Sequence, residues 1–232
     1  MENDGIRFER ITRTDLDDIV GLASAAWYSP DGLGDLSAAA LAGASLSDDE
    51  RKSVARLLAT DEVCSYLADM TWGVKALLNG HVMGVIITHG THDDPEAAAR
   101  WGRIGAQARE AAGQLLARAR EREEHLAEPK PPIYLDEARA TEAMRTEARL
   151  EAQPRVLLLV VSVEARGHGL GRRLLSQARD HFARHGAERY WLVTDTDCDW
   201  PFYEHLGLKR LAVRSGTVEG APERYFVYGG EA

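Results

Sequence analysis

Three glycines at alternate positions, Gly167, Gly169 and Gly171, punctuate the segment Arg166-Gly167-His168-Gly169-Leu170-Gly171-Arg172, between an apolar run and an amphipathic one. A glycine loop that opens a helix is an anion site. The first backbone N–H groups of a helix have no intrahelical acceptor, the helix dipole favours negative charge there, and a missing Cβ lets a phosphate approach the backbone. Arg166 and Arg172 add positive charge, while Arg173 follows along the helix. The chemistry expected is therefore the binding of a phosphate-bearing ligand. A P-loop would need Gly-Lys-Ser/Thr, which the chain lacks. A dinucleotide fingerprint would need glycine where Leu174 stands, and too little chain follows to build another βα unit. A purely structural strand-to-helix turn is the remaining alternative.

The elements around the loop read clearly. Arg155 to Val163 is an almost unbroken apolar run, as expected of a central strand covered on both faces. The helix after the loop runs from Leu170 to about His185, with Gly186 as its stop. Arg189 to Val193 reads as a strand, Pro201 to Gly207 as a short helix with its stop, and Leu208–Val213 and Arg224–Tyr228 as closing strands. Upstream, Ile6 to Ile11 alternates as a strand, and Thr14 precedes an acidic first turn that leads into a helix reaching Trp27. Residues 33–46 read as loop or irregular helix, and Ser47 caps a helix from Asp48 to Ala68. Trp72–Leu78 and His81–Thr88 flank Asn79-Gly80, a hairpin signal because a type I′ turn needs positive φ at both positions.

Between the third and fourth strands, residues 93–153 turn rich in Ala, Arg and Glu. Trp101, Ile104, Ala108, Ala111 and Leu115 mark a narrow stripe on a long helix, Pro129-Lys130-Pro131-Pro132 breaks it, and a second helix is expected from about Leu135 to Ala152. The segment is expected to be a helical hairpin inserted into one domain spanning 1–232. Its stripe fits a self-packed hairpin or an intermolecular one that would make a homodimer.

Composition narrows the function. A formal net charge of −9 argues against nucleic acid and suits a cationic partner. No apolar stretch is long enough for a membrane span, and the polar, acidic start is unlike a secretory leader. Two cysteines, Cys64 and Cys198, form neither a disulfide framework nor a zinc site, so a cytoplasmic protein with free thiols and no metal is expected.

Arg166-x-x-Gly169-x-Gly171, after a buried strand and opening a helix, resembles the acetyl-CoA pyrophosphate motif of the GNAT (GCN5-related) N-acetyltransferases. Phe202-Tyr203-Glu204-His205-Leu206-Gly207-Leu208 resembles the family's second motif, in which a tyrosine faces the thioester sulfur. The resemblance covers Ile6–Thr88 loosely and Val156–Tyr228 well. It departs at Thr196 and Asp199, where the family often has Asn and Ala. It implies the GNAT-like acyl-CoA N-acyltransferase fold, a mixed α+β architecture with a central sheet flanked by helices.

The resemblance also implies acetyl transfer from acetyl-CoA to an amine of a small molecule or a protein, by direct attack in a ternary complex. Val161, Val163, Arg166, Gly167, His168, Gly169, Leu170, Gly171 and Arg172 would then bind the donor. Val161–Val163 would pair with its pantetheine amides, and backbone N–H groups near Val163 would polarise the thioester. Tyr203 would be the general acid, since a phenol of pKa about 10 can protonate a thiolate whose thiol has pKa about 8.5. Glu164, Asp195 and Asp197 are candidate bases. Trp27, Tyr28 and Trp72 fit an acceptor pocket or the core equally. The competing function is a non-catalytic CoA-binding sensor or protein-interaction module.

Overall fold

A computed structural model of the chain describes residues 5–28, 46–90, 94–122 and 133–232. They carry a seven-stranded mixed sheet of β1 (Arg7–Arg10), β2 (Trp72–Leu78), β3 (His81–His89), β4 (Arg155–Val161), β5 (Arg189–Asp195), β6 (Lys209–Ser215) and β7 (Arg224–Glu231), in the order β1-β2-β3-β4-β5-β7-β6. Neighbours run antiparallel except β4 and β5, which are parallel. The helices are α1 (Leu16–Trp27), α2 (Asp48–Ala68), α3 (Pro95–Arg120), α4 (Ile133–Glu147), α5 (Leu170–Arg184) and α6 (Pro201–His205). This is the mixed α+β architecture expected from the sequence. Most of the loop expected at 33–46 and the proline break at 129–132 lie outside the described residues.

Local chemistry sets the boundaries. Asn79 and Gly80 take φ of 53° and 84°, the geometry a tight I′ hairpin requires of β2 and β3. Ser47 and Glu50 form a reciprocal capping box at the start of α2. Asp94 accepts the N–H groups of Glu96 and Ala97 at 3.1 and 3.0 Å, and Pro95 opens α3. The central strand is shorter than expected. It ends at Val161, and a 3-10 turn over Val163–Ala165 leaves Val163 60% exposed.

Helices cover both faces of the sheet. On the first face α1 and α2 bury Ile19, Val20, Ala59, Val63 and Leu67 against Ile87, Leu158 and Val160. Farther along that face Met144 of α4 packs on Trp191, Tyr225 and Val227. On the second face α5 inserts Leu174, Ala178 and Phe182 among Tyr190, Leu192, Phe226 and Tyr228. Alternate residues of β5 thus serve opposite faces, Trp191 the first and Tyr190 and Leu192 the second.

The helices between β3 and β4 do not form the expected self-packed hairpin. α3 lies along α2, and α4 lies against β6 and β7. The stripe on α3 is used within the chain: Trp101, Gly105, Ala108 and Ala112 are buried, and a Cβ on Gly105 would meet Asp61 Oδ1 at 3.0 Å and Cys64 Cβ at 3.1 Å. Arg109 closes this contact with two hydrogen bonds to Asp61, at 2.7 and 2.8 Å. A surface reserved for an intermolecular hairpin is therefore not available on that stripe. The stripe's periodicity was legible in the sequence, but its partner, a helix some forty residues upstream, was not.

Candidate active site

The parallel neighbours β4 and β5 pair only at Arg155↔Trp191 and Val156↔Leu192. Beyond that point each stays with its other neighbour, β4 with β3 as far as Val161↔Gly84 and β5 with β7 as far as Asp195↔Tyr225. The sheet therefore opens into a wedge between the ends of β4 and β5. The edge of β4 facing the wedge offers backbone donors and acceptors that no strand of the described residues takes up. A substitution at Gly84 would close the sheet against its helix, because its Cβ would meet Val160 O at 3.0 Å and Leu174 at 3.1 Å.

The glycine loop stands at the second-face side of this wedge. Ser162 N–H donates to Met83 O at 2.8 Å, and the N–H groups of Ala165 and Arg166 fold back onto Ser162 and Val163. Gly167 and Gly169 then take φ of 77° and 72°, with Gly169 as the N-cap of α5. A Cβ on either would meet nothing within 4 Å, so both face open space; conformation, not crowding, requires glycine there. Gly171 differs: its Cβ would touch the Phe202 ring at 3.2 Å, which brings α6 against the start of α5. Leu170 is buried as an anchor, whereas Arg166, His168 and Arg172 are exposed around the loop. Arg173 turns away, its guanidinium 5.0 Å from the Phe8 ring. Beside the loop a cavity of about 360 Å³ is lined by Arg172, Ser176, Arg179, Tyr190 and His205 among others.

Tyr203 comes from α6, whose ring neighbours are Phe202 at 5.2 Å and Tyr228 at 5.8 Å. Burial, and after it the negative potential of Cys198, Asp199 and Asp195, holds its phenol above the ordinary tyrosine range, so it stays protonated at neutral pH. The helix is clamped by Glu204, which takes hydrogen bonds from Tyr228 Oη at 2.9 Å and Arg210 at 2.6 Å.

Of the candidate bases, Asp195 ends β5, with Oδ1 accepting the N–H groups of Asp197 at 2.8 Å and Cys198 at 3.1 Å. Glu164 and Asp197 are exposed. Desolvation and the Asp195 carboxylate push the Cys198 thiol up to about 12, which keeps it a thiol rather than a nucleophilic thiolate. Trp72 belongs to the second-face core, stacked on His181 at 4.6 Å, and Trp27 packs at the edge of the first-face core.

Tyr28 leads to a group that the sequence did not single out. Its hydroxyl donates to Glu62 Oε2 at 2.9 Å, and Tyr66 donates to Glu62 Oε1 at 3.0 Å. Glu137 of α4 belongs to the same surroundings. Burial first, then the charges of Glu62 and Asp195, push its carboxyl up to about 7. Burial, with Asp61 and Asp195, also raises Glu62 against the lowering effect of its two phenol partners. Alternation along β5 sets Asp195 on the first face with Trp191, so these carboxylates gather on the side of the sheet opposite the glycine loop. The one local signal was Glu62 and Tyr66, four apart on one helix face.

The sequence profile of the acetyltransferase (GNAT) family matches residues 143–208, from the end of α4 through the loop and Tyr203 to the start of β6. No curated protein sequence matches the chain. Among solved structures the fold is shared with an agmatine N-acetyltransferase (14% identity, 99% of this chain and 100% of that one, TM-score 0.56). It is shared with a polyamine N-acetyltransferase of Drosophila melanogaster (13%, 98% and 100%, 0.55). A ribosomal-protein alanine N-acetyltransferase of Escherichia coli is similar too (13%, 97% and 93%, 0.51). These likenesses speak for the fold, and the profile shows that the segment carrying the loop and the tyrosine is similar to the GNAT acetyltransferase family.

Proposed function

We propose that the protein transfers an acetyl group from acetyl-CoA to a primary amine, by direct attack within a ternary complex. The wedge between β4 and β5 carries this reading, because the free edge of β4 runs toward the glycine loop that opens α5, and Gly171 of that loop packs on Phe202 beside Tyr203. The donor's pyrophosphate would rest on the N–H groups of Gly167 to Gly171, with Arg166, His168 and Arg172 around it. Its pantetheine amides would pair with the free edge of β4 as far as Val161, as an added strand does, and with the backbone of Val163 in the turn beyond it. Backbone N–H groups around Val163 would stabilise the oxyanion formed at the thioester carbonyl.

The nitrogen–carbon bond forms as the carbon–sulfur bond breaks. Of the two protons an ammonium loses on becoming an amide, one ends on sulfur by way of Tyr203 and the other reaches solvent through a carboxylate at the wedge, for which Asp195 is the best-placed candidate. The phenol, which burial holds above the ordinary tyrosine range, is protonated before the reaction and so has a proton to give to the departing sulfur.

Calorimetry of acetyl-CoA binding, with Gly169→Glu as the comparison, tests the donor site. Thiol release across a panel of amines, with Tyr203→Phe beside the wild type, tests catalysis. Acetyl-CoA binding without thiol release toward any amine would favour the sensor reading instead. No binding by folded protein would overturn the donor assignment.

A further inference from the structure

The cavity beside the glycine loop, about 360 Å³ in volume, has a chemistry of its own. Part of its lining is a single face of α5, where Arg172, Ser176 and Arg179 follow at steps of four and three residues. The rest comes from separate elements: Tyr190 from the start of β5, His205 from the end of α6 and Leu208 just before β6. Each polar side chain here can donate a hydrogen bond, and among the described residues no carboxylate lines the space. In a chain of formal net charge −9 such a surface is an exception.

Tyr190 is the informative member. It is 1% exposed, yet its hydroxyl has no hydrogen-bond partner among the described residues, a desolvation cost that nothing in the fold offsets. Its place is built. The ring packs on Phe182 at 5.6 Å and lies over its cross-strand neighbour Gly230, where a Cβ would come within 2.8 Å of Cζ and Oη. Arg179, whose positive charge acts on the phenol, is anchored by its Nε–H, which donates to Glu231 O at 3.0 Å. Its two terminal nitrogens have no carboxylate partner among the described residues, and neither has Arg172. A metal ion or an ammonium group would meet like charge in this cavity, whereas a tetrahedral oxyanion would meet a donor at every polar side chain.

We infer that this cavity is a second phosphate site, separate from the glycine loop, which holds a phosphomonoester through Arg172, Arg179, Tyr190 and His205. The loop offers backbone N–H groups at the start of α5, and the cavity offers side chains farther along the same helix. Two sources share the chemistry. The donor of the acetyl-transfer reading carries a phosphomonoester on its ribose beyond the pyrophosphate, and this source rests on that reading. A separate phosphorylated small molecule does not.

Calorimetry tests the site on the wild type, Arg179→Gln and Tyr190→Phe, with acetyl-CoA, its analogue lacking the 3′-phosphate, and inorganic phosphate. Arg172 stays unchanged because it also flanks the loop. If the donor's own phosphate fills the cavity, acetyl-CoA binds the wild type on the order of 10-fold more tightly than the analogue. Each substitution then shrinks that ratio without weakening the analogue. If a separate phosphate fills it, the two donors bind alike, and inorganic phosphate still binds protein saturated with acetyl-CoA. Each substitution then weakens that phosphate by a similar factor. Tyr190→Phe is the sharper variant, since it removes a hydroxyl that has no partner in the fold: a purely structural tyrosine would lose neither melting temperature nor affinity. Donors that bind alike with no phosphate bound beside them overturn the inference and leave the donor reading standing. So does a donor preference or a phosphate affinity that either substitution leaves unmoved. If neither donor form binds folded protein, the donor reading fails by itself, and inorganic phosphate on the free protein decides the cavity. Weaker binding in both variants then supports the site, and absent or unchanged binding overturns it.

Discussion

The two faces of the sheet are built up by different means. On the second face the candidate donor site is mostly backbone: the N–H groups of Gly167 to Gly171 at the start of α5 and the free edge of β4, with one side chain, Tyr203, supplied by the short α6. On the first face the polar groups are side chains far apart in sequence: Tyr28, at the end of α1, and Tyr66 both donate to Glu62 of α2. A backbone site is specified by consecutive residues with particular φ values, so it is compact in sequence. A side-chain site can be assembled from any elements that the fold brings together. A site of the second kind therefore leaves little trace in any one stretch of sequence.

This contrast can be broken or sharpened, beginning with the largest effect. Tyr203→Phe should lower kcat by on the order of 100-fold or more while leaving acetyl-CoA affinity intact, as the loss of a general acid does. Single-turnover thiol release beside calorimetry reads the two quantities separately, and a fall in affinity instead would make Tyr203 part of the donor wall. Gly169→Glu sets a side chain at φ of 72° and an anion at the helix start, and should weaken acetyl-CoA by on the order of 10- to 100-fold. Circular dichroism and melting should match the wild type; a loss of folded structure instead would leave the fall in affinity without a local cause.

Asp136→Ala removes the acceptor of three hydrogen bonds and leaves the Tyr225 hydroxyl unpaired, and should destabilise the fold by about 2–3 kcal/mol in urea unfolding.

The smallest expected effect concerns stability and pH. Burial, Glu62 and Asp195 raise the Glu137 carboxyl from its ordinary 4.5 to about 7. Between those values the folded protein holds a proton that the unfolded chain has released, so Glu137's contribution to stability falls as pH rises through this window and is flat above it. Glu137→Gln removes that dependence. The variant should melt about 1–2 °C above the wild type at mildly alkaline pH and show no gain near pH 4.5, a small shift because the side chain reaches solvent.

Legibility followed the range of the interactions involved. The Asn79-Gly80 hairpin, the Ser47 cap and the glycine loop could be read because each is set by residues within one turn of chain, and the structure places each where the sequence expected it. Val163 was less tractable: Val156 to Val161 continues without a break into Ser162-Val163 in sequence, yet the strand stops where β3 ceases to pair with it and a 3-10 turn begins. The helices after β3 were legible as helices, but their partners were not. A narrow apolar stripe states that something must cover it without stating what, and the cover is α2 rather than α4.

The sequence by itself determined the alternation of elements, the anion-binding start of α5 and the tyrosine that follows it, because propensity, caps and positive-φ glycines act over a few residues and need no distant partner. Only the tertiary structure decided that β4 and β5 part after two paired residues, that α3 and α4 separate, and that Tyr28 reaches Glu62 on another helix. Those outcomes depend on which surfaces bury one another across the chain, a competition among non-local contacts that no short stretch of sequence encodes.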